Sequence, residues 1–235
     1  MKIIRIALIT TFRAIKVVIR GILNNHKGDY FYQETKRWAD KLLKITKTEV
    51  IVKGLENING NNYIYLCNHT NYIDIPVLVK ALSTDKINFV YRKTLQKVPM
   101  LGFALKHSPF IPISRENISK TSITQANQTL NTGSIIIFPE GTRSKTGEIN
   151  IFKRGAFTIA ILSKKNIVPI AVSGIEKITP HDKKLKVIKG KVIVEICEPI
   201  KELPQEKEQL LQLIGEIRNE IISKKNENDK LLVAL

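Results

Sequence analysis

Short apolar, β-branched runs recur along this chain, and polar loops separate them. Residues 49–53, 63–66, 88–91, 109–115, 135–138, 167–172 and 192–196 read as strands. Helical patterns alternate with them. Pro76 is tolerated only in a helix's first turn, so a helix starts near Asp74 and runs through Val77, Leu78 and Val79. Residues 116–131 carry sparse apolar positions (Ile118, Ile123, Ala126, Leu130) and suggest a solvated helix, and 156–163 suggest another. Leu210, Ile214, Ile217 and Ile221 give one face of a closing helix, ahead of a polar stretch at 224–230 that reads as a frayed end. At 235 residues the chain suits one α/β domain with a sizeable core and is short for two.

Two segments precede the first strand. Residues 1–25 are rich in apolar side chains, yet Lys2, Arg5, Arg13, Lys16 and Arg20 interrupt them. The longest uncharged run, from Ile6 to Phe12, falls far short of the roughly 20 residues that a spanning helix needs. No small-residue cleavage site follows, so a signal peptide is not predicted either. At ~100° per residue the basic residues fall in a wedge of about 80°. Ile3, Ile4, Leu8, Phe12, Ile15, Val18, Ile19 and Ile22 cover most of the remainder. Such a wide apolar face with a narrow basic strip predicts a helix lying in a membrane interface, its cations toward anionic headgroups. The alternative is an ordinary core-packing helix. Residues 30–46 look helical again, with Trp38 as either an interfacial anchor or a core residue.

Charge narrows the partner. Lys and Arg number 38 against 21 acids, a net charge of +17, which predicts a nucleic acid or an anionic membrane surface as partner. The nucleic-acid reading fits less well, because the charge is concentrated in an apolar helix and no aromatic-basic interleaving appears. Cys67 and Cys197 sit in apolar contexts without metal-ligand spacing and read as buried free thiols. There is no G-x-S-x-G and no P-loop.

Candidate chemistry lies where the second strand ends, in Cys67-Asn68-His69-Thr70-Asn71-Tyr72-Ile73-Asp74. The strand delivers His69 onto a loop, and a carboxylate follows at the helix start. The imidazole can bend back so that one ring nitrogen donates to Asp74, which sets the tautomer. The other nitrogen is then free to take a proton from a hydroxyl. This is the pairing of a serine-hydrolase triad without the serine, and the hydroxyl would belong to the substrate. A loop histidine capped by a helix-start carboxylate fits the same spacing.

A second stretch changes that balance. The run 135–138 leads into Phe138-Pro139-Glu140-Gly141-Thr142-Arg143-Ser144. N-H-x-x-x-x-D followed by F-P-E-G-T-R-S resembles the glycerolipid acyltransferase family, and within it the bacterial 1-acyl-glycerol-3-phosphate (lysophosphatidic acid) acyltransferases. Lys93-x-Leu95-x-x-x-Pro99-x-x-Gly102, the strand ending in Arg115, and residues 167–172 also look like that family, over roughly residues 35–200.

The resemblance implies an α/β domain at 47–235, with a central mixed β-sheet flanked by helices, and an amphipathic membrane-docking hairpin at 1–46. It implies acyl transfer from acyl-CoA or acyl carrier protein to lysophosphatidic acid, giving phosphatidic acid. The missing G-x-S-x-G and P-loop predict no acyl-enzyme, metal or cofactor, and no nucleic acid is expected as partner. His69 and Asp74 would be catalytic, with His69 as general base and no acyl-enzyme. Arg115 would bind the acceptor phosphate. Arg143, Glu140, Gly141 and Thr142 would help to position it, and Lys93 would either join that pocket or be a solvated lysine. The apolar residues of 167–172 would line an acyl pocket or be plain core. The protein would work at the cytoplasmic face of the cell membrane, as a peripheral or monotopic protein. A sister enzyme acting on glycerol-3-phosphate or another lysolipid is an alternative.

Overall fold

Alternation at period two decides which side of the sheet each strand residue meets. The computed structural model describes residues 5–6, 8–13, 15–16, 19, 29–60, 62–99, 101–114, 119–144, 146–179, 187–204 and 206–234. Among the described residues seven strands, β1 (Thr48–Lys53), β2 (Ile64–Cys67), β3 (Ile87–Arg92), β4 (Ile111–Ile113), β5 (Ser134–Ile137), β6 (Ile167–Ser173) and β7 (Gly190–Ile196), form one sheet. Their order is β1-β7-β6-β2-β5-β3-β4, and neighbours are parallel except β6 and β7. The sheet is therefore mixed, with helices on both faces.

Every residue of β2, β5 and β6 is buried, as strands covered on both sides must be. Tyr65, Cys67, Ile136, Val168 and Ile170 point to one face. There they meet Ala39 and Leu43 of α1 (Asp29–Thr46) and Val77 and Leu78 of α2 (Asp74–Ala81). Ile64, Leu66, Ile135, Ile137 and Ala171 point to the other. Their partners are α4 (Lys120–Leu130), α5 (Arg154–Ser163) and α7 (Lys207–Ala234), through residues such as Leu130, Phe157 and Ile217. Full burial of one such side chain is worth about 1.5–3 kcal/mol, so these two layers dominate the stability. The apolar residues of 167–172 are thus spent on core packing rather than on lining an acyl pocket.

Two short helices, α3 (Leu101–Lys106) and α6 (Ile175–Ile178), interrupt loops that carry no clear helical period. Gly102 permits α3: a Cβ there would sit 2.1 Å from the Gln96 carbonyl oxygen.

The structure corrects two expectations and decides one open alternative. The polar end of the closing helix is ordered helix rather than frayed. Lys225 is buried and paired with Glu176 (2.7 Å) and Asp229, while Asn228 bridges Lys53 (2.8 Å) and Glu195 (2.8 Å). Of the two readings of Trp38, the structure favours packing: the half-buried ring lies against the cluster of Ile6, Leu42 and Val187, with its Nε1 donating to Thr10 Oγ1 at 3.0 Å. Finally, Arg13 turns inward, and Lys16, its side chain 39% exposed, leans toward the same partner. Buried Glu34 accepts from Arg13 at 2.8 Å and from Arg37 at 2.8 Å, with Lys16 Nζ 3.5 Å away. A buried carboxylate needs countercharge, and α1 supplies one that a helical wheel of residues 1–25 cannot see. The described residues among 5–19 are helical, and Leu8, Phe12, Ile15 and Ile19 are exposed. Among the described residues no helix is long and apolar enough to cross a membrane.

Candidate active site

The carboxyl ends of β2, β3 and β5 point the same way, and in open α/β sheets ligands bind at that edge. Where β2 stops, Asn68 extends the pairing with its side chain. Its Nδ2 donates to the Val172 carbonyl (2.9 Å), and its Oδ1 accepts from the Val172 N–H (2.8 Å). A side-chain amide thus replaces one backbone pair, and His69 is turned out at a defined point.

Asp74 opens α2 fully buried, and its Oδ2 accepts from the Thr70 N–H (2.7 Å) and the Asn71 N–H (2.9 Å). The same oxygen lies 2.7 Å from His69 Nδ1. An ionised carboxylate only accepts, so Nδ1 carries the proton and Nε2 is left as the basic nitrogen. Phe138 stacks on the imidazole at 4.0 Å and 17°, fixing its plane. The His69 side chain keeps 17% exposure, enough for a substrate to reach it.

The turn after β5 clasps the same residue from the other side. Glu140 Oε1 accepts the His69 N–H at 2.7 Å, and the Ser144 N–H donates to the His69 carbonyl at 2.7 Å. Glu140 Oε2 accepts from the Asn150 N–H (2.9 Å) and side-chain amide (2.7 Å). Arg218 of α7 in turn donates to the carbonyls of Ile149 (2.6 Å) and Asn150 (3.0 Å). Burial raises the Glu140 carboxyl above the ordinary range, against the hydrogen bonds from His69 and Asn150. The expectation that Glu140 faces the acceptor is therefore corrected: both oxygens are committed to protein donors, and a carboxylate turned outward would repel a phosphate. Glu140 holds the His69 loop in place.

The remaining predicted residues fall around this clasp. Gly141 adopts φ 65°, and its carbonyl accepts from Arg92. The Lys153 side chain runs 3.3–3.5 Å from where a Gly141 Cβ would be. Thr142 and Arg143 are exposed on the same turn, and Arg143 lies close enough to Tyr72 to oppose the upward effect of burial on the phenol. Lys93 is exposed just past β3. Arg115 lies outside the described residues. Cys67 is fully buried, which pushes its thiol far up and rules it out as a nucleophile. Among the described residues no group of His, Cys, Asp and Glu could hold a metal ion.

Asn68, Arg92, Phe138, Asn150 and Arg218 also shape the site. Of these, Asn68 and Phe138 stand inside the two motifs and Arg92 beside Lys93, where attention to flanking residues would have found them. Asn150 and Arg218 carry no local signal at all.

A family model described as Acyltransferase matches residues 49–173. The chain is 31% identical over 200 residues to the 1-acyl-sn-glycerol-3-phosphate acyltransferase of Bacillus subtilis, covering 82% of this chain and 96% of that one. It is 29% identical over 185 residues to a chloroplastic 1-acyl-sn-glycerol-3-phosphate acyltransferase of Brassica napus, covering 76% of this chain and 53% of the relative. An Arabidopsis thaliana chloroplastic relative of the same description is 31% identical over 157 residues, covering 65% and 44%. The chain thus spans about half the length of the plant relatives it matches. The crystal structure of the 1-acyl-sn-glycerophosphate (LPA) acyltransferase PlsC from Thermotoga maritima shares the fold. Its TM-score is 0.68 at 23% identity, over 96% of this chain and 98% of that one.

Proposed function

This chain belongs to the acyltransferase family, and on that premise we propose that it moves a fatty acyl group from acyl-CoA or acyl carrier protein to the free hydroxyl of 1-acyl-sn-glycerol-3-phosphate, giving phosphatidic acid. The observation that carries this reading is the His69–Asp74 pair at 2.7 Å, which leaves Nε2 as a base. Nε2 takes the proton of the acceptor hydroxyl as its oxygen attacks the thioester carbonyl. Asp74 stabilises the imidazolium, and collapse of the tetrahedral adduct expels the thiolate, which recovers the proton from His69. Transfer is direct, without an acyl-enzyme. General-base assistance of this kind contributes about 10²–10⁴ in rate.

Arg143 and Arg115 are the assigned phosphate ligands, since a guanidinium fork matches phosphate oxygens bidentately. Gly141, Thr142 and Lys93 complete the acceptor site, and holding the acceptor in place removes much of the entropic barrier. Residues 1–46 dock the protein on the cytoplasmic face of an anionic membrane as a peripheral or monotopic protein, and 47–235 carry the chemistry. Support for docking comes from Leu8, Phe12, Ile15 and Ile19, which lie exposed at helical spacing.

The test is acyl transfer from a long-chain acyl-CoA or acyl carrier protein to lysophosphatidic acid in detergent micelles, with wild type beside His69→Ala. Turnover should fall by about 10²–10⁴ in the variant. An equally active variant removes the assigned base, and an inert wild type removes the acceptor.

A further inference from the structure

Four exposed large apolar side chains fall within one short segment that follows β3. Leu95 is 39% exposed, Val98 42%, Leu101 38% and Phe103 46%. They belong to a single built knob. The Gly102 N–H donates to the Val98 carbonyl at 2.7 Å, and the close approach of Gly102 to Gln96 seats α3 directly on the turn that precedes it. Gln96 Nε2 donates to the Tyr91 hydroxyl at 2.7 Å, and that hydroxyl donates to the Leu105 carbonyl, so β3 braces the knob at both ends. Four large apolar side chains held in water within residues 95–103 mark this segment as a candidate interaction surface.

Charge identifies the partner. Residues 86–115 contain six Lys and Arg and no Asp or Glu. Lys93, Lys97 and Lys106 are exposed around the apolar cluster. The knob also adjoins the chemistry, because Arg92, immediately before it, donates to the Gly141 carbonyl. Tyr72, two residues before Asp74, packs like Ile9 against the cluster of Ile6, Leu42 and Val187, and the N-terminal helical residues expose apolar side chains of their own. Exposed apolar side chains among lysines, in a stretch (86–115) without a single acid, suit an anionic lipid surface.

We infer that the segment 93–106 is a second membrane contact, separate from residues 1–46, which seats the mouth of the active site on an anionic lipid surface. Its apolar side chains enter the headgroup region while the lysines meet lipid phosphates. Acceptor and product then pass between bilayer and site without crossing water. This last consequence rests on the reaction assigned above; the contact itself does not.

The experiment is co-sedimentation of the full chain with vesicles of phosphatidylglycerol and phosphatidylcholine. It compares wild type, Leu101→Glu/Phe103→Glu and the milder Lys97→Gln/Lys106→Gln, with turnover of a short-chain, water-soluble lysophosphatidic acid measured in parallel. The apolar pair should partition about tenfold more weakly and the lysine pair severalfold, with the lysine effect vanishing on pure phosphatidylcholine. Both should keep the Tm and the short-chain turnover of wild type. Wild-type partition in both variants overturns the proposal. So does wild-type partition combined with loss of turnover confined to an acyl carrier protein donor, which reassigns the surface to an acidic protein. A wild type inert toward every acceptor, yet held on vesicles through these residues, would sink the reaction and leave the contact standing.

Discussion

The loop bearing His69 and the knob at 93–106 obey opposite rules. Around His69 the protein satisfies its own groups: the residue's N–H, carbonyl and Nδ1 each meet a partner at 2.7 Å, and a ring stacks on the imidazole. In the knob, and along Leu8, Phe12, Ile15 and Ile19, large apolar side chains face water. For the acyl transfer proposed above, the contrast separates two requirements. The reacting nitrogen must be held within a fraction of an ångström, which takes hydrogen bonds and packing. The surface that meets lipid must stay unsatisfied until lipid arrives.

If the loop is rigid because its polar groups are paired, removing pairs should cost turnover in proportion to their nearness to His69. Asp74→Asn should have the strongest effect. An amide can no longer stabilise an imidazolium as a carboxylate does, so kcat should fall by about 10²–10⁴, and a variant with near-normal kcat would show that Asp74 is merely a helix cap. Glu140→Gln comes next. The His69 N–H and both Asn150 donors need acceptors, and a glutamine turns its NH₂ toward one of them. Leaving a buried donor unmet costs about 1–3 kcal/mol, so urea unfolding should show that loss and turnover should drop with it. Unchanged stability would contradict the clasp. Asn150→Ala deletes one of the three donors to Glu140 and leaves the backbone N–H groups of His69 and residue 150, so turnover should fall only about two- to tenfold, in line with 0.5–1.5 kcal/mol. KM for the acceptor should stay constant, because both Asn150 donors are spent on Glu140; a pure KM effect would place it in the binding site instead.

The smallest effect belongs to the other side of the contrast. Burial pushes the Glu34 carboxyl upward, but the Arg37 hydrogen bond and the charges of Lys16, Arg13 and Arg37 outweigh it, and the net shift is below 4.5. The unfolded chain therefore binds the proton first as pH falls. The stabilisation from this clamp is fully present above about 4.5 and fades as pH drops through the lower folded value. Glu34→Gln should lower Tm by about 2–4 °C at pH 7, and the gap to wild type should close below pH 4.5 with little change in micellar turnover. A gap that widens in acid would reverse the assignment.

Much of this molecule was legible before any coordinates. All seven strands were found within a few residues, because buried parallel strands are runs of Ile, Val and Leu that need no tertiary context to recognise. His69 and Asp74 were found because their spacing implies a contact, and the structure supplies it at 2.7 Å. Glu140 was assigned the wrong neighbour, since its partners His69 and Asn150 come from different loops and a motif does not say which way a side chain turns. The short helix α3 was missed because Gly102 matters only when Gln96 lies against it.

The division follows the range of the forces. Local steric preferences and period-two or helical patterning act over a few residues, so the amino-acid order alone determined the strands, most of the helices, the basic charge and the identity of the histidine–aspartate pair. Burial and ion pairing act between segments far apart in the chain. Only the tertiary structure decided that Glu140 faces inward, that Arg13 and Lys16 close on Glu34, that the polar end of α7 docks through Lys225 and Asn228, and that Leu101 and Phe103 remain in water. Whether a charge or an apolar side chain meets solvent depends on what the fold brings to it.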